Sequence, residues 1–450
     1  MITLLLLLTG LSPFNITCDY PENQAGKGVV LTDFGCLGAG NTPLDGSGNV
    51  QILTAAFDAT GQFLWTDSFH LGQSSEIFAI QSWSGGYLLT GSWTTSSTGV
   101  NALAYAISSD CQKLWTYSLE LNDLETFTTA AEGIDGTIVC AGRTKIYGAG
   151  GSDVLMVALD HNGNELWQQT YGTPGEEAVY HISACDDGGY IMACQAMDWG
   201  AGLGDYWIIK TDSLGDTLWT GTYGGDQFDY PWRVEQMGDY YYVAGNTLSY
   251  GSGSYDWWIL KLNSSGGLVW DTIWGTKNTD SCMALAVKDG NIIVGGISET
   301  VLNESEATVV YFDESGSANE EYYYNPAMIR SIETLDNNGL LIGGAGYDGS
   351  SALWVMCTDS LGYSPELGIS NSLEFASEGL HLSQNPISSS VSIQVPDNFS
   401  EVTIYDITGR LVGTATVSAN TAFFDTSQLS GGIYTARLGN GISARMVVIK

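Results

Sequence analysis

Positive charge is scarce in this chain. Of 450 residues only 14 are lysine or arginine, against 50 aspartates and glutamates, which gives a net charge of −36. Binding a phosphate backbone needs clustered cations, so nucleic acid is excluded as a partner. Histidine occurs four times, at His70, His161, His181 and His381. No Cys-x-x-Cys or paired Cys/His spacing accompanies these, and a zinc site has no support. The eight cysteines are too dilute for a disulfide scaffold. Cys36, Cys140, Cys194 and Cys357 fall in apolar runs that read as strands, where a thiol behaves as a small buried hydrophobe. Proline is limited to nine residues, whereas glycine reaches 57, tyrosine 24 and tryptophan 14. That balance suits strands joined by tight turns.

The apolar run MITLLLLLTGLSPF is too short for a permanent membrane span and reads as the core of a secretory leader over residues 1–18, although no Lys or Arg precedes it. From Asn371 onward there are six acidic and four basic residues, so residues 1–370 carry −34 of the −36. Acidity of that kind serves solubility in a salty medium, or cation binding.

A period governs the first 370 residues. The tryptophans of successive Leu-Trp or Val-Trp pairs, Trp65, Trp115, Trp167, Trp219 and Trp270, are spaced by 50, 52, 52 and 51 residues. Four residues before each lies the glycine of a D-x-x-G turn: Gly61, Gly163, Gly215 and Gly266, with Cys111 in the second copy. Gly316 and Gly362 continue the series to seven. Each copy carries an upstream hairpin such as WSGGYLLTGSW at Trp83–Trp93, whose Gly and Asp residues accept the positive φ of tight turns. One period thus holds about four short strands.

Strands such as YWIIK at Tyr206–Lys210 are apolar on both faces, so their sheets must be covered on both sides. Four-stranded sheets packed face to face around an axis, with a period near ~50, predict a seven-bladed β-propeller over residues 28–369. The first copy lacks a strand before its hairpin, and the segment around Leu367–Ile369 is expected to complete that blade and close the ring. Each repeat tryptophan is expected to wedge between adjacent blades. The GGY hairpin with D-x-x-G-x-x-x-W resembles the extracellular repeat propellers of secreted Bacteroidota proteins. That resemblance implies fold only.

Period and composition change after Gly362. Residues 370–381 read as a linker, and residues 382–450 as a small β-sandwich of alternating strands. Here Asn385-Pro386, Asp406 with Gly409-Arg410, Asp425, Leu429, Gly432, Tyr434 and the terminal Lys450 resemble the type A sorting domain of the type IX secretion system, with the motifs in family order. Leu382-Ser-Gln stands where the family commonly has Tyr-Pro. The resemblance implies handling by the type IX machinery, removal of this domain on export, and attachment of the passenger to the cell surface or its release. The mature form is expected to begin near Cys18 and end between Ser370 and Ser383.

Chemistry is less legible. GAGGSD, GAGLGD and GSGSYD, at 148–153, 200–205 and 251–256, lack the helix and lysine of phosphate-cradling loops. The position that closes these loops is polar in six of seven repeats: Gln51, Asn101, Asp153, Asp205, Asp256 and Glu306, with Ala352 in the last. Its carboxylates either accept hydrogen bonds from their own loops or, as Asp153, Asp205 and Asp256, ligate calcium. Loop aromatics Trp199, Tyr206, Tyr250 and Tyr255 are the expected ligand contacts. Two functions follow. One is a non-enzymatic surface module binding glycan or protein; the other is a secreted polysaccharide hydrolase or lyase using loop carboxylates.

Overall fold

The computed structural model describes residues 11–18, 25–43, 48–95, 99–121, 123–299, 305–324, 327–346, 352–362, 364, 381–382, 390–394, 400–406, 410–418, 421–430, 432–437 and 443–448. The expected closure at Leu367–Ile369, the linker and the leader core at 1–10 lie outside them.

Seven four-stranded antiparallel sheets follow one another along the chain. Six are local. Their strands span 25–69, 74–119, 125–171, 177–223, 229–274 and 280–324, ordered inner to outer as the chain runs. This is the predicted propeller, and the physical reason is the one read from sequence. Middle strands such as Asp153–Leu159, Tyr190–Ala196 and Asp205–Thr211 are buried at every position because both faces are covered by neighbouring blades.

The D-x-x-G turns connect third to outer strands. In blade 4 the Asp212 carboxylate accepts from the amides of Leu214 and Asp216, both at 2.9 Å, and Gly215 takes φ 82°. Blade 2 does without the glycine: Cys111 occupies the left-handed region at φ 64°, a conformation that costs a side-chain-bearing residue about 1 kcal/mol or more.

Each turn glycine is also a docking point. A Cβ on Gly163, Gly215, Gly266 and Gly316 would collide with the ring of Trp115, Trp167, Trp219 and Trp270 of the preceding blade. The indole nitrogens of Trp115, Trp219 and Trp270 donate to turn carbonyls of His161, Ser264 and Glu314 at 2.9–3.0 Å. The repeat tryptophan therefore wedges between blades, as its spacing implied.

The closure differs from expectation. Blade 1 is complete, with its inner strand starting at Ala25, and blade 7 (Ala327–Thr334, Leu340–Gly346, Leu353–Cys357) receives its outer strand from Phe14–Cys18. These five residues, placed by their hydropathy at the end of the leader, instead pair in full register with Cys357–Leu353. Phe14 takes the tryptophan's role, since a Cβ on Gly61 of blade 1 would strike its ring. Asn15 accepts from the indole of Trp354 at 2.7 Å. The ring shuts by joining its N-terminal strand to its last blade, which removes the open edge.

The second unit begins at Asn371. Its strands, His381–Leu382, Ser390–Gln394, Glu401–Asp406, Leu411–Ser418, Thr421–Asp425, Gly432–Arg437 and Ser443–Val448, fold over a core of Ile393, Val402, Ile404, Ala415, Ala422, Phe424, Tyr434 and Ala436. Of the sorting-motif residues, Tyr434 is buried and donates to the Ser430 carbonyl at 3.0 Å, and Leu429 packs against the core. Asp425 caps the following turn by accepting from the Ser427 amide. Asp406 and Gly432 lie on strands, and Arg410 is exposed. Asn385, Pro386, Gly409 and Lys450 are outside the described residues.

Candidate functional site

The seven loop-closing positions, Gln51 to Ala352, stand at the head of the third strand of each blade or just before it. This puts them on one face of the ring, together with the loops that enter each inner strand. On three successive blades these loops share a construction. Asp153 accepts from the amides of Ala149 (3.0 Å) and Gly150 (3.4 Å); Asp205 from Ala201 (2.5 Å) and Gly202 (3.4 Å); Asp256 from Ser252 (2.9 Å) and Gly253 (3.1 Å). The residue at the loop's entry, Gly148, Gly200 or Gly251, has positive φ, and a Cβ there would lie within 2.2 Å of the same carboxylate. Only glycine fits.

Immediately before each of these glycines stands an aromatic residue, Tyr147, Trp199 or Tyr250, exposed by 41%, 43% and 40%. Trp199 meets Trp207 edge-on at 5.6 Å and Tyr250 tilts against Trp258 at 5.2 Å. The Thr247 hydroxyl accepts from the amides of Ser249 and Tyr250, and that of Thr144 from Ile146 and Tyr147. The rings are held by fixed backbone and stand at equivalent positions 52 and 51 residues apart.

The sequence candidates therefore divide. Trp199 and Tyr250 are on the loop face. Tyr255 is half-buried and packs edge-on to Tyr230. Tyr206 is a core residue, 0% exposed, donating to the Trp258 carbonyl at 3.2 Å. It lies on the strand rather than in the loop, and its alternation points inward. Tyr147 escaped notice because its loop carries no tryptophan.

Asp153, Asp205 and Asp256 are each 1% exposed; Asp153 accepts loop amides on both oxygens, whereas Asp205 and Asp256 accept them on Oδ2, and Asp205 Oδ1 is buried without a partner. Each also faces a carboxylate on the next blade's inner strand, Glu177, Asp229 or Asp280, which in turn accepts from Thr173, Gly225 or Thr276. Burial and then the facing Asp229 push the Asp205 carboxyl above its ordinary range. Burial is also the first cause of the rise at Glu177 and Asp280, with Asp153 and Asp256 adding to it. Sequence inspection missed these partners, yet Glu125, Glu177, Asp229 and Asp280 recur every 51–52 residues. Among the described residues no group of three or more His, Cys, Asp or Glu side chains is arranged to hold a metal ion.

The second feature lies on the axis. In all seven blades the pairing of inner and second strands skips one residue: Lys27, Phe78, Thr128, Tyr180, Trp232, Met283 and Arg330. A bulge turns the extra side chain away from the ladder, and all seven line one cavity of about 320 Å³ together with Arg143 and Arg233. Alternation alone does not reveal a bulge. The available signal was the second-strand glycine in LLTGSW, CAGRT and VAGNT. A Cβ on Gly91, Gly142 or Gly245 would sit within 2.0 Å of the inner strand's carbonyl beside the bulge.

Deeper along the inner strands, burial raises Glu235 and Glu333 to about 7, against hydrogen bonds from Ser183 and the Leu31 amide respectively. Both carboxyls bind protons on folding, so their contribution is complete below about 4.5 and is lost as pH rises through about 7. The melting temperature is expected to fall between pH 5 and 7.5, and to fall less in a Glu235→Gln/Glu333→Gln variant. Equal slopes in differential scanning fluorimetry would refute this assignment.

Comparison with known proteins bears on fold and destination. Residues 385–450 match the secretion system C-terminal sorting domain. No curated protein matches the chain at a significant level. Among solved structures, the WD40 β-propeller domain of Doa1 is 12% identical over 76% of this chain and 97% of its own, with a TM-score of 0.48. Sqt1 from Chaetomium thermophilum is 12% identical over 97% and 100%, with 0.46. The periplasmic gluconolactonase of Pseudomonas aeruginosa is 11% identical over 75% and 96%, with 0.43. At these identities and TM-scores nothing about activity follows. No helix among the described residues is long and apolar enough to cross a membrane. The chain is a secreted or cell-surface protein of the type IX secretion class, a seven-bladed β-propeller carrying a C-terminal sorting domain.

Proposed function

We propose that the exported propeller is a non-enzymatic binding module that captures an extracellular glycan chain along the arc Tyr147, Trp199 and Tyr250. The observation that carries this reading is the repetition itself: three exposed rings at one loop position of three consecutive blades. Aromatic faces offer large contact area at small entropic cost, and evenly repeated platforms suit a polymer of repeated units. Capture is favoured over cleavage by the even repetition of the loops, whose aspartates Asp153, Asp205 and Asp256 are buried and each accept hydrogen bonds from loop amides.

Affinity gel electrophoresis of the full-length protein through a panel of polysaccharides tests the reading. Trp199→Ala is expected to reduce retention about thirtyfold, the size of a hot-spot loss of about 2 kcal/mol, without moving the melting temperature. Tyr206→Ala is expected to lower the melting temperature instead, since its ring fills the core. Unchanged retention in Trp199→Ala would refute the arc.

A further inference from the structure

We infer that the axial cavity is a second site, distinct from the aromatic arc, and that it takes a carboxylate-bearing sugar, a uronic acid unit, whose charge is met by Lys27, Arg143 and Arg330. Only 14 basic residues exist in the protein, and four of them, these three and Arg233, line this one cavity. They come from four different blades, so the cluster is a product of the ring and not of a local charge run.

Lys27 is paired with Glu76 at 3.4 Å, and the arginines of the cavity carry no ion pair among the described residues. The Nε of Arg330 is buried without an acceptor, as is the indole nitrogen of Trp232 on the cavity wall. Arg233 spends a guanidinium N–H on the backbone carbonyl of Arg330 at 2.9 Å, which ties the Arg233 side chain to the inner strand of blade 7. Burial lowers the pKa of Lys27, Arg233 and Arg330; Glu76 opposes this at Lys27 and Glu235 at Arg233, while Arg330 depresses both. Adjacent dry cations are costly unless an anion joins them.

The walls select the anion's body. Phe78, Tyr180 and Trp232 present ring surface, and Thr126 and Thr128 present hydroxyls. Lys27 already lies 5.6 Å from the Phe78 ring centre. Rings beside cations suit a planar-faced, hydroxylated acid, and the volume is at the small end of ligand sites. An acidic peptide would offer a carboxylate without the stacking face.

Titration calorimetry with the full-length protein decides this. The probes are a short oligoglucuronate, the corresponding neutral oligoglucoside, sodium sulfate and a glutamate-rich peptide. Binding of the uronate at least tenfold tighter than each of the others is expected. Arg330→Gln should abolish that preference while leaving the melting temperature unchanged or raised, because it removes an unsatisfied buried donor. Arg143→Gln, at an exposed position, gives the same readout should Arg330→Gln fail to fold. The Trp199→Ala protein should keep its uronate affinity, which separates this site from the arc. Equal affinity for the neutral sugar, stronger binding of sulfate or peptide, or full uronate affinity in both arginine variants would overturn the inference.

Discussion

A protein lacking Phe14–Cys18 is expected to lose cooperative thermal unfolding and to aggregate on standing. Without this strand blade 7 keeps three strands, and Leu353–Cys357, buried at all five positions, becomes an open edge. Such an edge is a template for pairing with other chains. The Trp354 indole loses its acceptor Asn15, and the blade 1 turn at Gly61 loses the ring of Phe14. Graded substitutions separate these terms. Asn15→Ala should cost about 1–3 kcal/mol by stranding a buried donor, and Phe14→Ala about 3–5 kcal/mol by leaving a cavity. Because Phe14–Cys18 pairs with Leu353–Cys357, the exported protein is expected to retain Phe14, with any leader processing falling before it rather than near Cys18. Mass spectrometry of the mature N-terminus checks this. A terminus at or beyond Cys18 in material of full stability would contradict the closure.

Removal of residues 385–450 is expected to reduce surface and medium protein to background while the propeller accumulates inside the outer membrane. Recognition of the sorting domain is expected to require its fold, and a domain this small has little stability to spare. Tyr434→Ala, which takes a buried ring and its hydrogen bond to Ser430 out of that core, should mimic the deletion. Arg410→Ala, at an exposed position, should leave the domain folded. Immunoblots of cell-surface, periplasmic and medium fractions measure the effect. Normal export of the truncated chain would remove the sorting role.

The ring was readable because its strands are repeated and local. A 51-residue period, a glycine-centred turn and a wedging tryptophan are chain-neighbour properties, and each repeat reinforces the others. What escaped were facts about distant partners. Phe14–Cys18 reads as the tail of an apolar leader; only the unpaired edge of Leu353–Cys357, some 340 residues away, reveals it as a strand. Tyr206 reads as a loop aromatic because it follows Asp205 by one residue, yet that step turns it into the core. The axial cations are invisible in sequence because they come from separate blades, Lys27 and Arg330 on bulges and Arg143 and Arg233 on paired strand positions. In a chain of charge −36 four basic residues draw no attention until the ring brings them together. The three loop aspartates, read from sequence as loop caps or calcium ligands, each accept hydrogen bonds from the amides of the loops that carry Tyr147, Trp199 and Tyr250.

The arc makes one quantitative demand. Rings on three consecutive blades should be engaged one after another by a lengthening chain, each added contact acting at high effective concentration. Calorimetric affinity of the full-length protein for a length series of the oligosaccharide it retains should rise with chain length and level off once three rings are spanned. In Tyr147→Ala/Trp199→Ala/Tyr250→Ala the same series should show weak affinity independent of length. A wild-type affinity that does not change with chain length, or a triple variant that keeps the length dependence, would contradict glycan capture along this face.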